Sequence, residues 1–269
     1  MTFNTTKCQE IFRNRFTGPS GIPFYDYRSG KTIRGQQVDA SDLTLYKSAK
    51  NNDIIHFYYK ALLSFAEGLA ACLRHNYTWA TIKLYYSIYF GLRCSLLCRD
   101  NVLVRADRHL YKLKLIAGAQ YEKPDDPTDH GAAIKTYTGL FERTDFFCSN
   151  PVEGTNPYLW LKSCREIVNY RDDVFHDPDT TVLWNSINKD IATRGSKKVL
   201  TDFVNEKSKY CFSPDFAILA IPLNRMLVLA QEVKNEISDR LEPSQKEWVR
   251  SILQNHTPQE YIETMLLEE

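Results

Sequence analysis

The chain has 269 residues, 43% hydrophobic and 25% charged, the proportions of a globular protein long enough to bury one large core or two small ones, which excludes disorder as the default. Lysine and arginine number 34 against 33 aspartates and glutamates, a formal charge of +1, so no overall field draws the protein to nucleic acid or anionic lipid and any polyanion must be held by a local cluster. The opening MTFNTTKCQEIFRNRF mixes polar and charged residues, and no run of 18 or more apolar residues follows; neither a signal peptide nor a membrane span is predicted, and the expected location is cytoplasmic, without a membrane partner. Seven cysteines, an odd count, suit reduced thiols. Cys94 and Cys98, one helical turn apart, have no second Cys or His pair at ligand spacing and read as small apolar side chains on a packed helix.

In chain order, the first 45 or so residues read as irregular. FTGPSGIPFYDYRSGKTIRGQQ carries Gly, Pro and aromatics that suggest an extended arm or short hairpin. From Asn51 the pattern changes. Ile54, Tyr58, Ala61, Leu62, Phe65, Leu69 and Leu73 recur at threes and fours, which predicts an amphipathic helix ending near His75. A second helical run follows at once, with Thr78 as N-cap and a broad stripe from Ile82 to Leu97, so the two helices must pack antiparallel. A Pro- and Asp-rich loop then leads to a helix predicted over 128–146, and PYLWLKSCREIVNYRDDVFH forms a fourth, with Pro157 in its first turn. The stretch 179–213 is mixed, with residues that suit a small hairpin; PDFAILAIPLNRMLVLAQEVKNEISDRL is a strong helix despite Pro222, and two short helices close the chain. The predicted fold is mainly α: an antiparallel helical bundle of about five core helices, with an irregular N-terminal arm (1–48), a helical domain (49–242) and a C-terminal helical extension (243–269).

RDDVFH, residues 171 to 176, stands at the end of the fourth helix. Asp177 precedes Pro178, which disfavours the helical region, so the helix is expected to end at His176. Five steps of about 100° leave Arg171 and His176 about 140° apart on a regular helix. Asp172 and Asp173, four and three residues before the histidine, are better placed to touch it, and a helix C-terminus favours a cationic imidazole. Arg-His pairs four to six residues apart also arise by chance. RSILQNH supplies a second, Arg250 and His256, on what reads as a peripheral helix.

Context separates the two pairs. A helical hairpin whose second helix reads YYSIYFGLRCSLL, followed by DHGAAIKTY and a helix ending in NYRDDVFH, resembles the HEPN superfamily, helical bundles that carry an R-x4-6-H motif, often with Asn, Asp or His directly after the Arg. The resemblance covers about residues 50 to 240 and rests on these short motifs. It implies a metal-independent endoribonuclease, needing no cofactor, in which two protomers bring two copies of the motif to one cleft. On that basis Arg171, Asp172 and His176 are the catalytic candidates: His176 as general acid or base for attack of a ribose 2′-hydroxyl on the adjacent phosphate, Arg171 holding the phosphate, and Asp172 orienting one of them. Tyr85, Tyr89, Arg93 and Tyr170 are the candidate substrate-binding residues, with the tyrosines read either as base-stacking groups or as core. The basic stretches RADRHLYKLK, with its interleaved Tyr111, and TRGSKK read either as an RNA-binding rim or as solvated faces. The partners implied are RNA, a second copy of the chain and, in a toxin or phage-defence setting, an antitoxin or a nucleotidyltransferase-type protein. HEPN-like bundles also serve as non-catalytic nucleotide- or protein-binding scaffolds, and an unrelated helical adaptor is the third reading.

Overall fold

A computed structural model describes residues 5–17, 33, 35–106, 109–124, 126, 128–238 and 240–268. The protein is mainly helical, and one two-stranded sheet stands among eleven α-helices in the described residues. The chain divides into two compact units: residues Met1–Phe57 with Leu92–Leu140, and Tyr58–Gly91 with Phe141–Glu269. The division falls within two long helices, Ala40–Leu73 and Tyr77–Cys98. No helix of the described residues is long and apolar enough to cross a membrane.

The first unit contains two features that differ from the sequence reading. Residues Lys7–Thr17 form a helix rather than an irregular arm. Its inner edge is Cys8 and Phe12, both buried, continued by the half-buried Phe16, whose ring lies 4.9 Å from Phe12 and 5.4 Å from Tyr121, a helical spacing set among the charged residues of KCQEIFRNRFT. What starts this helix lies elsewhere in the chain: the buried Asp53 carboxylate accepts the Lys7 and Cys8 N–H groups at 2.7 and 2.9 Å, satisfying donors that a helix start leaves free. The Ala40–Leu73 helix likewise begins well before Asn51, with the Asp39 carboxylate accepting from the Asp42 N–H at 2.8 Å in the manner of an N-cap. The hairpin expected within residues 16–37 lies for the most part outside the described residues.

The second difference is an antiparallel hairpin, β1 (Asn101–Ala106) and β2 (His109–Lys114), registered Val102 to Leu113 and Val104 to Tyr111. These four side chains are buried, and so are Leu103 and Leu110, so β1 is a run covered on both faces rather than a period-two alternation. The Gln9 side chain docks on β1, donating to the Arg105 carbonyl at 2.9 Å and accepting from its N–H at 2.7 Å. Tyr111 therefore packs inward and is not available to stack a base. The helix expected over 128–146 is Asp129–Phe141.

The second unit is organised by the helix Ala217–Glu236. Every residue from Ala217 to Met226 is buried, as expected of a helix that is apolar on all sides. Its polar members find partners inside the unit: Asn224 donates to the Phe203 and Ala220 carbonyls at 2.9 and 3.0 Å, and the Arg225 guanidinium lies 3.3 Å from the Glu232 carboxylate. The stretch expected to make a hairpin is helical instead, Asn185–Arg194, Ser196–Asn205 and Lys207–Tyr210. Val199, Leu200 and Phe203 all face inward, so helical spacing outweighs their β propensity. Pro157–Glu166, Pro243–Leu253 and Gln259–Met265 complete the unit, the first two with proline in the first turn as the sequence indicates.

Within this unit the helical hairpin closes at Gly68. A Cβ there would stand 2.8 Å from Leu84 Cγ and 3.2 Å from the Leu84 backbone nitrogen. Gly68→Val is expected to overpack this crossing and lower stability by about 1–3 kcal/mol. Denaturant unfolding measures the loss, and Leu84→Ala in the same chain should recover part of it.

Candidate functional site

The helix that carries the motif starts as predicted and ends differently. Asn156 caps it, its side-chain oxygen accepting from the Tyr158 N–H at 3.1 Å. The α-helical turns stop at Glu166, the segment Ile167–Arg171 is a π-helix, and Asp172 is extended, with φ −74° and ψ 128°. His176 is therefore five residues beyond the last helical residue. The helix-dipole argument and the helical placement of Asp172 and Asp173 beside it both lose their basis, because a dipole acts within the last turn.

The π segment changes which residues share a face. Residues five apart diverge by about 140° on an α-helix, but i→i+5 bonding brings them together; here the Asp172 N–H reaches the Ile167 carbonyl at 3.0 Å. Arg165 consequently meets Tyr170, donating to its hydroxyl at 3.1 Å with the guanidinium 4.8 Å from the ring centre. Arg171 likewise stands 3.7 Å from the Glu166 carboxylate. Arg165 also donates to the Tyr86 hydroxyl at 3.2 Å. Lys162 binds Glu166 at 2.9 Å, and this hydrogen bond, helped by the charges of Lys162, Arg171 and Arg165, holds the Glu166 carboxyl below its ordinary range. Three cations thus gather around one carboxylate, directly before the motif. Sequence reasoning passed over Lys162, Arg165 and Glu166; the spacing of Arg165 to Tyr170 was a signal only for a reader who expected a π turn.

Beyond Arg171 the chain is anchored by Asp177, whose carboxylate oxygen accepts from the Tyr77 and Thr78 N–H groups at 2.5 and 3.2 Å. The cap of the Tyr77–Cys98 helix is thus this aspartate, not Thr78. Asp177 read as a helix breaker because proline follows it, and nothing local revealed its partner.

Arg171, Asp172 and His176 are all exposed. Arg171 keeps 68% of its side-chain surface, and its distance to Glu166 exceeds a hydrogen bond. Among the described residues no hydrogen bond or ion pair joins the side chains of Arg171, Asp172 and His176. Of the substrate-binding candidates, Tyr170 is 68% exposed, whereas Tyr85 and Tyr89 are buried and belong to the packing alternative. Arg93 lies in the other unit, donating to the Leu103 carbonyl at 3.0 Å and covering the Phe57 ring at 4.4 Å. In TRGSKK, Arg194 and Lys198 are spent on Asp202 at 2.6 and 2.7 Å, and Arg194 also pairs with Asp190, a solvated ion network. The second Arg-His pair is closed: Arg250 holds the Glu268 carboxylate at 2.6 and 2.7 Å. Burial pushes the Cys164 thiol up to about 12, which leaves no thiolate nucleophile on the motif helix. Among the described residues no group of three or more His, Cys, Asp or Glu is placed to hold a metal ion. No family model matches this chain, and no curated protein or solved structure does either.

Asp177→Ala should free the first amides of the Tyr77–Cys98 helix and lower stability by about 0.5–2 kcal/mol. Thermal unfolding checks this, and Asp177→Asn, which keeps an acceptor oxygen, should lose less.

Proposed function

We propose that the protein is a metal-independent endoribonuclease of the HEPN type, acting as a two-fold symmetric dimer assembled through the motif segment. One observation carries the reading. Arg171, Asp172 and His176 are exposed and interleaved with exposed apolar side chains, Tyr170, Val174 at 61% and Phe175 at 69%, with Ile167 and Val182 also open. Large apolar groups exposed in succession mark a surface that a partner covers, and a second copy meeting it across a two-fold axis would set two motifs side by side.

In such a composite cleft His176 would take the proton from the ribose 2′-hydroxyl as the oxygen attacks phosphorus, or give one to the departing 5′-oxygen. The products are a 2′,3′-cyclic phosphate and a 5′-hydroxyl. The Arg171 guanidinium, with no hydrogen-bond acceptor among the described residues, would hold the phosphate and offset its developing charge. Asp172 would orient one of them, and Lys162 and Arg165 would extend the positive surface along the helix. The intramolecular 2′-hydroxyl nucleophile makes a metal-bound water unnecessary.

Light scattering at tens of micromolar should give a dimer, and Phe175→Glu should give a monomer; a strict monomer of the unaltered chain removes the composite cleft. RNA cleavage should survive chelator. His176→Ala should lower it by roughly two to four orders of magnitude and Arg171→Ala by nearly as much, while His256→Ala, beside the closed Arg250 pair, changes little. Equal activity of the His176→Ala protein and the unaltered chain would leave the non-catalytic scaffold as the reading of this surface.

A further inference from the structure

The first unit contains a cleft of about 530 Å³ between the hairpin, the strand-like segment after it and the Asp129–Phe141 helix. Its volume falls in the range of small-molecule sites, roughly 300–1,000 Å³. Lys112, Lys114 and Lys135 line it against one carboxylate among the described residues, Glu122. Lys112 and Lys114 are two residues apart on β2, so the pleat turns both to the side opposite the buried Tyr111 and Leu113.

None of the three is tightly held. The Lys112–Glu122 pair, at 3.0 Å, keeps 40% and 62% of its side-chain surface exposed, a setting in which an ion pair contributes little and exchanges readily. Lys135 reaches Asp126 at 3.2 Å while 49% exposed. Lys114 donates only to the Arg99 carbonyl at 3.2 Å and has no carboxylate partner among the described residues. Ile116 and Leu140 also line the cleft, 54% and 52% exposed. The walls thus offer cations and an open apolar surface together, which matches a ligand with a multiply charged anionic end and a flat apolar end.

We infer that this cleft binds a phosphorylated nucleotide, its phosphates on Lys112, Lys114 and Lys135 and its base against Ile116 and Leu140. The nucleotide is either free or the 5′ end of a strand. The inference is independent of the ribonuclease reading, since none of its residues belongs to the motif.

The test is calorimetric titration of the full chain with ATP, adenosine, tripolyphosphate and a 5′-phosphorylated hexaribonucleotide. ATP should bind saturably, adenosine and tripolyphosphate more weakly, and added salt should weaken the ATP complex. Lys114→Glu and Lys135→Glu should each weaken ATP roughly tenfold or more, with unchanged helicity, while Lys234→Glu on an exposed face of the second unit should not. The His176→Ala chain should bind ATP as the unaltered chain does, which separates this site from the proposed nuclease. A hexaribonucleotide tighter than ATP supports the inference with a strand end as the source; one weaker than ATP supports it with free nucleotide. No saturable ATP binding at millimolar concentration, equal affinity for tripolyphosphate, or indifference to both charge reversals would overturn it.

Discussion

The Asp177 carboxylate receives the first amides of a helix that begins 100 residues earlier in the chain, and through it the segment after the π turn is fixed in place. Without that bond the next anchor after Arg171 would be the buried Trp184, which donates to the Thr81 hydroxyl at 2.9 Å. With it the residues from Asp172 to Asp177 are held at both ends, and the exposed side chains between the anchors are presented from a constrained backbone. The same device starts the Lys7–Thr17 helix, where Asp53 receives two amides from across 46 and 45 residues of sequence. In both places a carboxylate supplied by a distant segment does what a local Ser, Thr or Asp does at most helix starts. Local folding and long-range packing become one event.

The π segment is the second constraint on the candidate site. One extra residue in the turn aligns positions that an α-helix would splay, and it draws Arg165 onto Tyr170 and Arg171 towards Glu166. Two arginines and a lysine then surround one carboxylate, while the exposed Asp172 and Asp173 follow directly after Arg171. The Arg250 pair shows the contrast. There a guanidinium six residues before a histidine, rather than five, is engaged by both oxygens of Glu268.

The candidate site was legible as a set of residue types and illegible as a geometry. Arg171, Asp172 and His176 could be named from the string, but their relation could not: a regular helix to His176 follows from Asp177 and Pro178 only if nothing interrupts it, and the π turn does. The tyrosines show the same limit. Tyr85 and Tyr170 are equally aromatic in the sequence, yet one is buried and the other is open, because the first faces its neighbours across a long helix and the second follows the last regular turn. Lys112 and Lys114 read as members of a basic run, whereas the pleat of β2 separates them from Tyr111 and places them in a cleft.

By itself the sequence determined the helical class, the strong apolar helices from Ile54 to Leu73 and from Ala217 onward, and the proline-led starts of the helices at 157 and 243, since each follows from periodicity and backbone propensity within one or two turns. The tertiary structure alone decided the N-terminal helix, the hairpin at 101–114, the helices at 185–210 and the break at Glu166. Each of these has too short or too mixed an apolar pattern to choose its own conformation. Burial against residues far away in the chain, distant backbone N–H groups donating to Asp53 and Asp177, and the two bonds of Gln9 to β1 supply the free energy that local propensity lacks.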